Sequence, residues 1–384
     1  MPNVFASHAD YSHLRERFVQ AATRAGASLY CYEHPLPGPS GEPLSTDVAL
    51  LGNPKAKRVL VTLSGTHGVE GYYGSDCQSR WLGTFDTRLL PDDVAVLMIH
   101  LINPWGTAWM RRVNEDNIDI NRNYVDFGQA LPQNPAYAAL HDVYTCGDLD
   151  GPARAKADVR FNSLIETHGW AGLMAIVGAG QYQFSDGLFY GGQAPSWSNA
   201  TLRHILATHL DNAQVAMTFD LHTGAGEYGH PMLMSITQSA YPALPQAQAL
   251  FGPWLYTLIT AANTLSDTGV AATSTGYTSQ ALLDALPGVQ LMPFVIECGT
   301  WPGPSVHTHL RADHWLHLHG DPLSAQGLAI KRGLLEQFYP ADEDWQELVG
   351  VRTRQIWERA LAALINHECP VGNPEKGPST SCKE

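Results

Sequence analysis

The sequence predicts an α/β protein, a three-layer α/β/α arrangement around a central mixed, mostly parallel sheet. Two observations carry that prediction. Near-continuous apolar runs such as "RVLVTL" (58–63), "VAVLMIHLI" (94–102) and "PFVIE" (293–297) suit strands covered on both faces. Stretches with apolar residues at helical spacing lie between them, and an alternation of that kind builds layered sheets. The composition agrees, because 384 residues with 44% hydrophobic and 16% charged side chains can fill a sizeable core.

In chain order, "SHADYSHLRERFVQAATRAGA" (7–27) offers a Ser or Asp cap before apolar residues at helical spacing, which predicts an opening amphipathic helix. Strands are expected at "SLYCYEH" (28–34), "STDVALLG" (45–52), "RVLVTLSG" (58–65), "DVAVLMIHLINP" (93–104), "QVAMTFDLHTG" (214–224) and "MPFVIECGTW" (292–301). Helices are expected at 201–213, across "YPALPQAQALFGPWLYTLITAANTL" (241–265), and in two closing segments at 321–339 and 344–367. The Gly- and Pro-punctuated stretch 178–199 has no sustained period and reads as a long functional loop. With no internal repeat and no clear linker, the expectation is a single domain over 1–368, with an insertion near 125–210 and a flexible C-terminal tail at 369–384.

Charge narrows the partners. There are 23 Lys plus Arg against 37 Asp plus Glu, a formal net charge of −14, the wrong sign for gripping phosphates. Neither nucleic acid nor an anionic membrane is therefore expected. No run is long and apolar enough for a span, and the charged N-terminus does not read as a signal peptide, so a cytoplasmic location is expected. A homo-oligomer is compatible with all of this. Six scattered cysteines without a C-x-x-C pair fit reduced, inert thiols better than a disulfide framework. Cys298 adjoins Glu297, but neighbours on a strand point to opposite faces.

The chemistry concentrates at strand ends. In "LSGTHGVEGYYG" (63–74), His67 and Glu70 stand in a glycine-rich turn after an apolar strand, where α/β sheets place their ligands. A catalytic zinc commonly takes three His or carboxylate ligands and keeps one position open. "MTFDLHTGAGEYGHP" (217–231) supplies a third candidate, His222, in the same pattern of strand, histidine, then glycines. Between them lies "NPWGTAWMRRVNEDNIDINRNYVDF" (103–127).

Taken together, His67/Glu70, Asn103-Pro104-Trp105-Gly106, Arg112-Val113-Asn114, Asp119-Ile120-Asn121-Arg122-Asn123-Tyr124, His222 and Glu297 resemble, in order, the motifs of the zinc carboxypeptidase superfamily. The likeness covers residues 55–300 as islands. It implies that family's fold and one Zn2+ per chain, held by His67, Glu70 and His222. It also implies Glu297 as general base and acid, Arg112 stabilising an oxyanion, and Asn121 and Arg122 holding a substrate carboxylate. Asp119 would orient His67, and Tyr277 resembles the mobile tyrosine that closes over substrate. Arg111 competes with Arg112, one of the two being a solvated surface charge, and Asp284 falls where some members select a side chain. The 178–199 segment and the long spacing from Glu70 to His222 place the chain in a bacterial branch. That branch lies between true carboxypeptidases and the succinylglutamate desuccinylase and aspartoacylase relatives.

The implied activity is hydrolysis of an amide, removing a C-terminal residue from a peptide or peptide-like small molecule. The alternatives are an N-acyl amino acid deacylase and a non-catalytic zinc or ligand-binding module. His307, His309, His314, His317 and His319 form a second histidine cluster, expected as a polar helix face or lid rather than a second metal site. Trp197 and Tyr190 are candidates for a cleft wall or for ordinary packing.

Overall fold

A computed structural model describes residues 10–260 and 274–368; Cys369, Cys382 and the expected tail lie outside the described residues. Each expected strand forms: β1 (Ser28–Glu33), β2 (Ser45–Gly52), β3 (Arg58–Leu63), β4 (Val94–His100), β5 (Val215–Thr223) and β8 (Gln290–Cys298). Two more join them, β6 (Pro231–Thr237) and β7 (Leu255–Ile259). They assemble into one sheet in the order β1-β2-β4-β3-β5-β8-β6-β7. The central strands β4, β3, β5 and β8 are mutually parallel, as are β6 and β7. The pairs β1/β2, β2/β4 and β6/β8 are antiparallel. The sheet is therefore mixed, with a parallel centre.

The expected helix across 241–265 is corrected. It runs only from Leu244 to Phe251, because Gly252 turns the backbone to φ 59 and Pro253 has no N–H to continue the ladder. The aromatic and branched run that follows pairs with β6 as β7, and residues 261–265 of that span lie outside the described residues.

Side-chain alternation along the strands separates two apolar cores. Val96 and Met98 of β4 join Phe18, Tyr73, Trp81, Phe219, Phe294 and Trp357 on one face. Ala95, Leu97 and Ile99 join Leu202, Ile205 and Leu282 on the other. Helices Tyr11–Arg24, Gly71–Thr84 and Glu343–Ile365 cover the first face; Trp197–His209 and Thr278–Ala285 cover the second. Phe219 of β5 stacks on Phe294 of β8 with centroids 5.0 Å apart. Leu221, Ile296 and Cys298 follow on that same face, so Asp220, His222 and Glu297 turn to the opposite one. Cys298 is thus a buried, free core thiol, as its position beside Glu297 predicted.

Residues 125–210 hold a small core of their own around Tyr137, Leu140, Phe161, Leu173 and Leu188. It is built from the helices Ala138–Tyr144 and Pro152–Gly178, the latter broken at Gly169 (φ 68, ψ 164), and neither helix was expected. Between 179 and 196 the chain is irregular, as its composition predicted, apart from isolated bridges at Gln181 and Tyr190. Trp197 meets His34 edge-on and Tyr190 is buried in the second core, so both serve packing. No described helix is long and apolar enough to cross a membrane.

The second histidine cluster is divided by its helix, Gly303–His319. His317 and His319 are exposed, in keeping with a polar face, but His307 and His314 are buried and bond to Tyr144 Oη (3.1 Å) and the Asp186 carbonyl (2.8 Å). Burial holds His307 neutral by lowering its pKa to about 3 and His314 to about 4. His100, stacked on Phe18 and bonded to Ser75, is likewise lowered to about 3 by burial.

A depressed histidine pKa means that the unfolded chain takes up protons first as pH falls. These three therefore contribute stability that is intact above pH 6.5 and is lost progressively as pH falls from about 6.5 to about 4 for His314 and to about 3 for His100 and His307. The expected slope is roughly 1.4 kcal/mol per pH unit for each histidine. Urea unfolding of the metal-free protein should show a midpoint that drops steeply from pH 7 to pH 4.5; a flat midpoint would contradict this account.

Candidate metal centre

The turn that carries His67 is shaped by close backbone packing. After β3 the chain passes through Gly65 (φ 72) into a short 3-10 turn, Gly68–Glu70, and then the helix Gly71–Thr84. A Cβ on Gly68 would lie 2.1 Å from the carbonyl carbon of Gly106, so no side chain fits there. Asn103 caps the helix Pro104–Ala108 by accepting from the Gly106 N–H at 2.9 Å, with Pro104 at its first turn. The Gly68 and Val69 N–H groups donate to the carbonyls of Arg112 (3.1 Å) and Arg111 (2.8 Å). The "HGVE" and "NPWG…RR" motifs are thereby one physical unit.

Three donors converge at the ends of β3 and β5. His67 Nδ1 lies 2.8 Å from Glu70 Oε1, while His222 Nδ1 lies 2.9 Å from Glu70 Oε2 and 3.1 Å from His67 Nδ1. The ligand atoms of these three residues all fall within 4.8 Å of one another, and each side chain is buried. Each imidazole is backed by a carboxylate on its far nitrogen. His67 Nε2 is 3.1 Å from Asp119 Oδ1, and His222 Nε2 is 3.0 Å from Asp220 Oδ2 in an ion-pair contact angled short of a hydrogen bond. Thr66 donates to Asp220 (2.8 Å), and the Thr223 N–H donates to Glu70 (3.0 Å). Two imidazole nitrogens and a carboxylate, with carboxylates behind both rings, fit a divalent cation of the zinc type.

The charges agree with that fit. Burial works against ionising Glu70, yet His67 and His222 outweigh it and hold the carboxyl below the usual range. Burial also opposes Asp119, which Arg112 and His67 nevertheless hold well below its ordinary value. Burial would lower His222, but Asp220 and Glu70 carry it well above. Glu297 moves the other way, pushed up to about 8 by burial and then by the Glu70 carboxylate. It sits directly across from His222 in the β5/β8 register and accepts from the Ala225 N–H at 3.0 Å.

Arg112 donates through Nε to Asp119 and through Nη1 to Glu70, both at 3.2 Å, so it leans on the donor cluster itself. Arg111 corrects the expectation that one of the pair is a solvated charge. It is 3% exposed and bonded to Asp313, which also pairs with the buried Lys331. Asp119 does two jobs, since besides backing His67 it accepts from the Asn121 N–H (3.0 Å) and caps the turn Ile120–Arg122.

Asn121 Oδ1 accepts from the Thr278 N–H at 2.9 Å. Arg122 donates from Nε (3.0 Å) and Nη2 (2.6 Å) to the Gly178 carbonyl and from Nη1 to its neighbour's carbonyl (2.7 Å). Tyr277 is buried at 5%, bonded to Ser274, with the Arg122 guanidinium 5.0 Å over its ring. Asp284 is exposed, bonded to Gln280, and lines a separate surface groove with Asp126 and Arg203, which removes it from the site. No other group of possible metal ligands converges among the described residues, the 307–319 histidines included.

Two neighbours of the site escaped the sequence reading. Asp220 stands two residues before His222 on the same strand face, a spacing that could have revealed it. Phe189, whose ring lies 4.9 Å from Arg112 Cζ and 5.9 Å from Arg122 Cζ, comes from the irregular segment and carries no local signal.

Among solved structures, the chain is similar to bovine thrombin-activatable fibrinolysis inhibitor in complex with tick carboxypeptidase inhibitor. The identity is 11%, 95% of this chain and 100% of that one are covered, and the TM-score is 0.46. It is also similar to carboxypeptidase A from Helicoverpa armigera, at 12% identity over 94% and 75% of the two chains with a TM-score of 0.45. An aspartoacylase family protein from Mesorhizobium loti matches at 13% identity over 77% and 67%, with a TM-score of 0.36. No curated protein matches the sequence. The family described as "Protein of unknown function (DUF2817)" matches residues 5–352, nearly the whole length, and the chain belongs to that family.

Proposed function

We propose that the protein is a zinc-dependent amide hydrolase that removes a C-terminal residue from a peptide or peptide-like small molecule. The observation that carries this reading is the convergence of His67, Glu70 and His222 on one buried point, with Glu297 across from His222. The motif resemblance in the sequence supports the same assignment. Zinc held there would lower the pKa of water and polarise a carbonyl. Glu297 would take a proton from water and return it to the departing nitrogen; its pKa is raised to about 8 in the metal-free site, and a cation held by the three donors would draw it down into the range of a base at neutral pH. Two nearby carboxylates with opposite shifts divide the work: Glu70 stays ionised as a ligand while Glu297 exchanges protons.

Arg112 spends two of its N–H groups on Glu70 and Asp119 and keeps others for a developing oxyanion. Arg122 has five N–H groups, of which three are bonded to backbone carbonyls among the described residues. The remaining two, with Asn121, would hold a substrate carboxylate. Tyr277 forms the wall beside Arg122 in this reading. Deacylation of an N-acyl amino acid would use the same groups on the same kind of bond.

Zinc-loaded protein should be offered peptides together with N-acyl amino acids, with products read by mass spectrometry. Released C-terminal residues are the expected result. Deacylation with intact peptides would move the assignment to the second chemistry, and a metal-bound but inert protein would overturn both in favour of a binding module. Glu297→Gln should keep its zinc and lose about 10²–10⁴-fold in turnover. In competition with a chelator, Asp220→Asn should weaken zinc binding by about 10–100-fold, the usual effect of removing a partner behind a ligating histidine. His222→Ala should weaken it further still, and an unchanged zinc affinity in that variant would remove His222 from the ligand set.

A further inference from the structure

We propose that Phe189 is a positioning residue, whose ring, brought in by the 178–191 segment, fixes the guanidiniums of Arg112 and Arg122 relative to one another. Its backbone is in the left-handed region, at φ 54, where a bulky side chain is rarely found. Such a conformation persists only where the surroundings impose it. Here they do. The Gln181 N–H donates to the Phe189 carbonyl (3.1 Å), and the Asp119 N–H donates to the Tyr190 carbonyl (2.8 Å). Asn117 Nδ2 holds the carbonyls of Ser185 (3.0 Å) and Gly187 (2.8 Å), and Gln181 Nε2 holds that of Phe184 (2.7 Å). The segment is clamped by residues that immediately precede Asn121 and Arg122, so the ring is placed from the same stretch of chain that places the arginines.

The ring lies against both cations, at 4.9 Å from Arg112 Cζ and 5.9 Å from Arg122 Cζ. Two guanidiniums in one site repel each other, and the negative face of an aromatic ring offsets that repulsion. It does so without consuming an N–H. The in-plane donors that the backbone carbonyls and carboxylates leave unspent therefore remain available for hydrogen bonds to an anionic group. A second anion performing the same task would have competed for those donors. That the two arginines face a substrate rests on the amide-hydrolase reading; that the ring orders them does not.

The test uses the full-length, zinc-loaded protein labelled with ¹⁵N-arginine and compares Phe189→Leu with Phe189→Tyr. The exchange of the Arg112 and Arg122 Nε–H signals with water is measured by NMR, and binding of N-acetylglycine by calorimetry. The leucine variant is expected to exchange both signals about three- to tenfold faster and to bind the probe correspondingly more weakly. The tyrosine variant should restore both, with zinc content and melting temperature unchanged throughout. Unchanged exchange in the leucine variant, or equal acceleration in both variants, overturns the proposal. Should leucine lower the melting temperature, Phe189→Met fills the volume without a π face and takes its place. Accelerated exchange in a protein whose wild type does not bind N-acetylglycine would leave the positioning role standing and count against the hydrolase reading.

Discussion

Three electron-pair donors brought to one buried point repel each other unless positive charge stands among them, and the rest of this structure is arranged around that requirement. The donors come from two strands that must lie side by side. β3 and β5 are parallel neighbours with Leu63 opposite Asp220, which brings the turn carrying His67 and Glu70 level with His222. A one-residue slip of β5 would turn His222 and Asp220 into the apolar face occupied by Phe219 and Leu221. The stacking of Phe219 on Phe294 helps to forbid that slip, and it also fixes the register that sets Glu297 against His222.

Charge balance extends the same requirement outward. Glu70, Asp119, Asp220 and Glu297 surround two imidazoles, and Arg112 is the cation bonded to two of those carboxylates. Behind it, Arg111, Asp313 and Lys331 form a second buried network on the backbone that holds the turn carrying His67 and Glu70. Removing one member of such a group leaves an unpaired buried charge, at a typical cost of about 3–5 kcal/mol. The two networks meet through the backbone, where the Val69 N–H donates to the Arg111 carbonyl.

Much of this was legible in the sequence because the signals were local. The strands that carry ligands are apolar on both faces, and the turn after each contains glycines next to a histidine. The spacing of His67 and Glu70 and the cap of Asn103 on Gly106 are short-range patterns with a direct physical cause. What escaped depends on distance in space. β7 reads as the continuation of a helix in the sequence because its run after Gly252 and Pro253 has no strand-specific period, and only its pairing with β6 decides the matter. The burial of Arg111 follows from an aspartate and a lysine more than 200 residues away. The histidines of 307–319 look alike in the sequence and are divided by which helix face meets Tyr144 and Asp186. Phe189 lies beyond the reach of any local pattern for the same reason.

The placement of residues 125–196 has a consequence for which parts of the molecule can change independently. This segment follows Asn121 and Arg122 and ends before the helix Trp197–His209 that covers the sheet, so it lies between the second and third donors in sequence without supplying a strand to the sheet that brings them together. It is joined to the site by contacts that include the Gly178 carbonyl on Arg122, the Tyr182 hydroxyl on the Arg122 carbonyl, the Phe189 ring, and the Tyr190 carbonyl on Asp119. The small core around Tyr137, Phe161 and Leu188 is therefore the part whose interior can be rebuilt without moving the strands beneath the three donors, whereas the helix Trp197–His209 cannot.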